Sequence, residues 1–392
     1  MLENTGRKHR IAKVAAAALF ALAAARADAA DLEFLRELVS IPSASSDIPE
    51  VNRAVRAMKG YLEKRGVWCA VENHPGGNEI LFAATRPGKE QDFCISVHLD
   101  VVPASVEGQY KMRDIDGRLT GRGVDDCKGR CVTVAETLAK LNGKASVGCI
   151  FGVDEEIGGA LTTWMVEERG YRPRRMVIVA DAGPNVVYYA QKGQCMVRLV
   201  AKGRAGHSSM PWNCDDSITR LARGYLKLRD AWDARHPPTE DKWWDVLTPT
   251  VVKSEGDAHN RIPGEVDMVL NLRSVDPGAK DELISLAREA TGLDVELIRY
   301  SPPFNGDPCD PLIRGVRAAI AGAGGAEVAL ERLNAATDAR CFVNCGVPIA
   351  IVGTRGGGEH GDAEWADPSS FDIMGAWMEK FLLDPEKYSQ TP

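Results

Sequence analysis

Three apolar runs in the first half of the chain each stop on a group that binds metals or protons, and this repeated pattern most constrains the fold. The run Cys94-Ile95-Ser96-Val97-His98-Leu99-Asp100 ends on His98 and Asp100, residues 147–153 lead into Asp154-Glu155-Glu156, and residues 176–180 stop on Asp181. Such runs, closed by Gly-Gly or Gly-Pro, read as strands. In an open α/β sheet the carboxyl ends of the strands line the ligand crevice, so these ends are expected along one edge. A fourth run, 349–353, precedes Gly356-Gly357-Gly358-Glu359-His360 and offers a second histidine from far along the chain.

Taken singly, each motif has an ordinary explanation as well as a chemical one. His98 and Asp100 lie two apart on a strand and point to one side, which suits a structural pair or a metal-binding imidazole oriented by a carboxylate. In Gly121-Arg122-Gly123-Val124-Asp125-Asp126-Cys127-Lys128-Gly129, a loop leads into an expected helix at 131–141. Asp125 there is expected to cap that helix, and Asp126 to bridge metals. Adjacent Glu155 and Glu156 allow one carboxylate to hold a metal while its neighbour handles protons.

Taken together, the spaced blocks His-x-Asp, Gly-Arg-Gly-x-x-Asp-x-Lys-Gly, Asp-Glu-Glu-x-Gly and Gly-x-x-His-x-x-x-Glu resemble, in order, those of a co-catalytic zinc peptidase family. That family holds aminoacylase, carboxypeptidase G, succinyl-diaminopimelate desuccinylase, acetylornithine deacetylase and related dipeptidases, and the likeness runs from about residue 31 to about residue 383. It implies two zinc ions, or cobalt or manganese, bridged by Asp126. His98 and Asp181 would complete one shell and Glu156 and His360 the other. Glu155 would be the general base, and Asp100 would stand behind His98. Two cations about 3.5–4 Å apart acidify a shared water and polarise an amide carbonyl. These shells leave no place for Cys127 as a ligand.

The resemblance also implies the architecture: an α/β catalytic domain with a mixed, mostly parallel sheet flanked by helices, and an inserted ferredoxin-like lid. Between the blocks, residues 195–202, 216–235, 248–254, 266–274, 280–291 and 294–300 read strand, helix, strand, strand, helix, strand, the split βαβ order of such a lid. The expected division is a leader at 1–29, catalytic parts at 30–192 and 304–392, and a lid at 193–303. Within the lid, Gly203-Arg204-Ala205-Gly206-His207-Ser208-Ser209 is similar to the family block whose histidine stabilises an oxyanion. His207 would act so across a homodimer interface, because the compact lid has no room to supply it internally; its ordinary alternative is a turn residue satisfied by Ser208 or Ser209. Asn260 and Arg273 match blocks that contact substrate, and Arg273 offers a planar fork for a carboxylate. Gly357, within the glycine run, would bring backbone amides close to a substrate carboxylate, or serve only as a turn.

At 392 residues the chain suits two domains. A net charge of −7, with neither a basic stripe nor interleaved aromatics, argues against nucleic acid as a partner. Arg7, Lys8, Arg10 and Lys13 precede an apolar run at 14–25 and Ala27-Asp28-Ala29, the form of a secretory leader cleaved after Ala29 and too short to span a membrane. A periplasmic or secreted address is expected, with an uncleaved helix in a cytoplasmic protein as the alternative. Cys94 and Cys149 lie in apolar strands, Cys127 and Cys131 share a helix start, and Cys341 and Cys345 are four apart, which argues for free thiols rather than disulfides. Aspartate at 181, where the family's deacylases usually place glutamate, favours an exopeptidase or dipeptidase of small peptides; N-acyl-amino-acid deacylation is the alternative. A binding protein with a decayed site is a more distant one, opposed by the complete set of Glu155, His207 and five ligands.

Overall fold

The computed structural model describes residues 31–256 and 258–390, so the expected leader lies outside the described residues. Helices α1 (Leu32–Ser40) and α2 (Ile48–Glu63) open the fold and begin on Asp31 and Asp47, whose carboxylates accept first-turn amide protons. Then come β1 (Trp68–Asn73), β2 (Glu79–Ala84), β3 (Gln91–His98), α3 (Lys128–Leu141), β4 (Val147–Gly152), α4 (Ala160–Glu167), β5 (Pro173–Ala182) and β6 (Val186–Gln191). The second sheet contributes β7 (Gly193–Lys202), α5 (Ser217–Arg235), β8 (Val246–Ser254), β9 (Glu265–Ser274), α6 (Ala279–Thr291) and β10 (Asp294–Ser301). The chain returns through α7 (Pro311–Gly324), β11 (Ala329–Leu333), β12 (Ile349–Gly353) and α8 (Pro368–Leu383).

The main sheet runs β1, β2, β4, β3, β5, β12, β6 and the short strand Phe304–Asn305, with β11 also against β6. Its centre is parallel: β4 with β3, β3 with β5, and β5 with β12. Those strands are apolar because both faces are covered; all six residues of β4 and seven of eight in β3 are buried. Their carboxyl ends place His98, the 154–156 acids and Asp181 on one edge, as the strand runs imply. The mostly parallel sheet and its flanking helices agree with the fold expected from the sequence.

The second sheet runs β8, β9, β7, β10, with every neighbour antiparallel. Counting its strands in chain order, this is 4-1-3-2 read from β10, the ferredoxin-like arrangement. Leu270, Leu272, Cys195, Val197 and Leu199 alternate onto the face under α5 and α6 and form a separate core. The chain enters this sheet at Gly193 and leaves at Ser301, and Gln194 pairs with Ser301, so entry and exit lie side by side. A small sheet of Gly356–Gly357, Trp365–Ala366, Arg118–Thr120 and Arg113–Ile115 lies beyond the end of β12. Among the described residues no helix is long and apolar enough to cross a membrane, and all ten cysteines are unpaired.

One expected detail is overturned. Helix α3 starts at Lys128 rather than 131, its cap residue is Cys127, and no side chain caps it. Asp125 instead sits 3.2 Å from Arg130 and accepts from the Thr354 hydroxyl at 3.2 Å, so its buried carboxylate serves tertiary pairing rather than the helix end. On the same helix Gly129 allows close approach to α8. A Cβ there would lie 2.3 Å from Phe371 Cζ and from the Val124 carbonyl oxygen. Gly129→Ala is therefore expected to destabilise the protein by about 1–3 kcal/mol, seen as a lower urea midpoint at unchanged slope; an unaltered midpoint would show that α3 and α8 separate freely.

Candidate metal centre

His98 and Asp181 sit at strand ends, and Asp126, Glu156 and His360 in the loops and turns between elements. His98 is the last residue of β3, and its Nδ1 donates to the Asp100 carbonyl oxygen at 3.0 Å, with the Asp100 carboxylate farther away at 3.5 Å. That bond turns Nε2 toward Asp126 Oδ1, at 3.0 Å, and Asp181 Oδ1, at 3.9 Å. The Asp100 carboxylate, expected from the sequence behind His98, also has shorter contacts on its other side. It accepts the Ser45 hydroxyl at 2.7 Å and the backbone amides of Glu155 and Glu156, each at 3.2 Å. A single buried carboxylate thereby ties the end of β3 to the paired acids after β4.

Those acids occupy a short 3-10 turn, Glu155–Ile157, closed by Gly158 and Gly159 at φ +119° and +65°. This left-handed backbone favours glycine and releases the chain into α4. Glu156 faces His360, with Oε2 3.0 Å from Nε2, and His360 Nε2 stands 3.2 Å from Asp126 Oδ2. The two oxygens of Asp126 thus face two different imidazoles. His98, Asp126 and Asp181 form one group of candidate ligand atoms, and Asp126, Glu156 and His360 a second, each within 4.8 Å. Asp126, Asp181, Glu156 and His360 line a cavity of about 270 Å³, together with Arg130, Glu155, Tyr188 and Thr337, while His98 is buried behind them.

Electrostatics follow from crowding acids under low solvent access. Burial pushes Asp181 and Glu156 up to about 7, and the negative charge of Asp126 adds to both. Asp126 goes the other way: despite burial, hydrogen bonds from His360 and His98 hold it well below the usual carboxylate range. The hydrogen bond to Asp126 raises His360 to about 9. Burial drives Glu155 well above its ordinary value, opposed by the Arg340 guanidinium.

Two partners, Arg340 and Arg130, carried no motif in the sequence. Arg340 Nη2 contacts Glu155 Oε1 at 2.9 Å and the Glu155 carbonyl at 3.0 Å, and Nε donates to the Gly158 carbonyl at 3.1 Å. Arg130 Nη1 holds Asp181 at 3.0 Å. Glu364 accepts from Arg122 and from the amides of Gly123, Asp125 and Asp126, bracing the loop that presents the shared aspartate. It is the last residue of the His360 block, and that spacing is the available clue.

The remaining predicted residues lie elsewhere. His207 is exposed, bonded to the Ser209 hydroxyl at 2.8 Å, and shares a lid surface depression with Asn260. Neither lines the cavity of its own chain. Arg273 is half-buried near the end of β9. Gly357 is paired with Trp365 in the small sheet.

A succinyl-diaminopimelate desuccinylase of Gluconacetobacter diazotrophicus is 26% identical over 90% of this chain and 97% of its own length. Among solved structures, the M20 family metallo-carboxypeptidase Sso-CP2 from Sulfolobus solfataricus superposes with a TM-score of 0.76 at 16% identity, covering 92% of this chain and 99% of that one. The di-peptidase Dug1p of Saccharomyces cerevisiae gives 0.70 at 17% identity, covering 92% and 96%. The model of peptidase family M20/M25/M40 matches residues 94–384, and the chain belongs to that family of metal-dependent hydrolases.

Proposed function

We propose that the protein hydrolyses the amide bond of small peptides at a centre of two zinc ions, as an exopeptidase or dipeptidase. The observation that carries this is the pair of donor groups sharing Asp126. Each mixes one imidazole with two carboxylates, a donor set suited to zinc, with cobalt or manganese as substitutes. The chemistry of the site supports cations as well, since acids held at about 7 by burial and mutual repulsion gain from a nearby positive charge. His98, Asp126 and Asp181 would hold one ion, and Asp126, Glu156 and His360 the other. Bound cations of this kind supply an acidified water and polarise the scissile carbonyl.

The chain's own residues do the rest. Arg340 fixes Glu155 through Oε1, leaving Oε2 to take a proton from water and return it to the leaving amine. Asp100 keeps Glu155 and Glu156 in register by holding both amides. Arg273 and Asn260, with the backbone of Gly357, bind substrate. The chain then divides into a catalytic part, 30–192 and 304–392, and a lid, 193–303, exported by the leader at 1–29. N-acyl-amino-acid deacylation is the second reading, supported by the near full-length likeness to a desuccinylase.

A homodimer through the lid would carry His207 into the partner's site. Exposed apolar residues beside it support this, Trp212 at 75% and Met210 at 44% exposure, as does the open strand β8 with Val251 and Val252.

Glu155→Gln should lower kcat by roughly 10²–10⁴-fold while zinc content, read by atomic emission, stays at wild-type level; undiminished turnover removes Glu155 as base. Mixed Glu155→Gln and His207→Ala subunits, each inactive alone, should recover about a quarter of wild-type activity, because half of the dimers then hold one complete site. No recovery, or full activity from a monomer in sedimentation, rejects the shared site. In metal-free protein Glu156 and Asp181 bind protons more tightly folded than unfolded between about pH 4 and pH 7, and His360 does so between about pH 6.5 and pH 9. Stability is therefore present at the acid end of each window and lost as pH rises through it. The urea midpoint after chelation should fall from about pH 5 to pH 9, and zinc should restore more at the alkaline end; a midpoint rising with pH contradicts the acid cluster.

A further inference from the structure

The lid sheet has one face under α5 and α6 and one that carries polar side chains. By register, Arg273, Gln194 and Ser301 form one transverse row across β9, β7 and β10, and Asn271, Met196 and Arg299 form the next row on the same face. Leu270, Leu272, Cys195 and Val197 alternate to the other face and its core. The polar face meets the turn that carries Glu155. Arg299 Nη1 stands 3.2 Å from where a Cβ on Gly158 would be, and the carbonyl of that same glycine accepts from Arg340. Burial depresses the affinity of Arg273 for a proton, and the Arg340 charge adds to this.

Arg340 and Arg299 therefore meet at one glycine turn, with Arg273 in the adjoining row of the same lid face, and the three are unequally satisfied. Arg340 is bound to Glu155 and Asp338. Arg273 and Arg299 have no ion-pair or side-chain hydrogen-bond partner among the described residues, although both are partly buried. On the same face the Asn271 side-chain oxygen is buried without a partner. Unmatched cations beside a third cation are unfavourable until an anion arrives, and a guanidinium fork matches a carboxylate.

We propose that Arg299 joins Arg273 in an anion subsite on the lid, and that the substrate is a small amide bearing two carboxylates, one for each arginine. This rests on the amide-hydrolase assignment above and narrows its substrate class.

The test compares matched substrates with zinc-loaded enzyme: Ala-Glu with Ala-Gln, Glu-Ala with Gln-Ala, and N-succinyl-alanine with N-butanoyl-alanine. Wild type should favour the acidic member of at least one pair by about tenfold or more in kcat/KM. Arg299→Gln should erase that preference by a loss on the acidic member larger than that on the neutral one, with Arg299→Lys restoring part of it. Equal losses on acidic and neutral members, or no acidic preference in wild type, overturn the assignment. Calorimetric titration of zinc-loaded Glu155→Gln with glutarate and with butanoate supplies a readout independent of turnover. Glutarate should bind more tightly, and adding Arg299→Gln should abolish that advantage; equal binding of the two acids overturns the subsite. Failure to cleave any substrate would reject the hydrolase, while the titration still decides the role of Arg299.

Discussion

Like charges crowded at the carboxyl edge of a parallel sheet set the terms for the rest of this molecule. Two strand ends and one loop bring Asp126, Glu155, Glu156 and Asp181 to one cavity, where water screens them poorly. Such a cluster persists only with compensating donors, and the structure surrounds it with them. Arg130 holds Asp181, Arg340 holds Glu155, and two imidazoles divide the oxygens of Asp126. Beneath these, Asp100 and Glu364 accept backbone amides and so fix the segments that carry the acids. The arrangement distinguishes groups that face the cavity from groups that keep them there.

Much of this was legible from residue order because the parallel strands are covered on both faces. Burial demands uninterrupted apolar runs, and a run that stops abruptly on an acid or histidine marks the edge where the sheet gives out. The lid was legible for the complementary reason: only one face of its sheet packs against helices, so β9 alternates in burial along its whole length. The two signals differ in period, and the change near residue 193 separates the two sheets.

What could not be read depends on side chains meeting across long stretches of sequence. Arg340 and Glu155 are 185 positions apart and lie near no shared motif. Arg130 sits inside a helix whose pattern shows only an amphipathic element, yet its guanidinium reaches the end of β5. Asp125 looked like a cap because it precedes a helix, and the helix begins at a different residue while Asp125 turns to Arg130 and Thr354. His207 shows the reverse situation. Its block is clear in the sequence, but the single chain leaves it on the lid surface beside Asn260.

The lid's two attachments have a mechanical implication. Because entry at Gly193 and exit at Ser301 are neighbouring rungs of one ladder, the inserted sheet hangs from its frame like a page from a narrow binding. Any swing about that binding carries the row of Arg273 and the row of Arg299 as one piece. Their spacing from each other is set by β-pairing, whereas their spacing from the Glu155 turn would change with any such swing. In the proposed anion subsite the two rows would then act as a ruler of fixed length for the span between a substrate's two carboxylates.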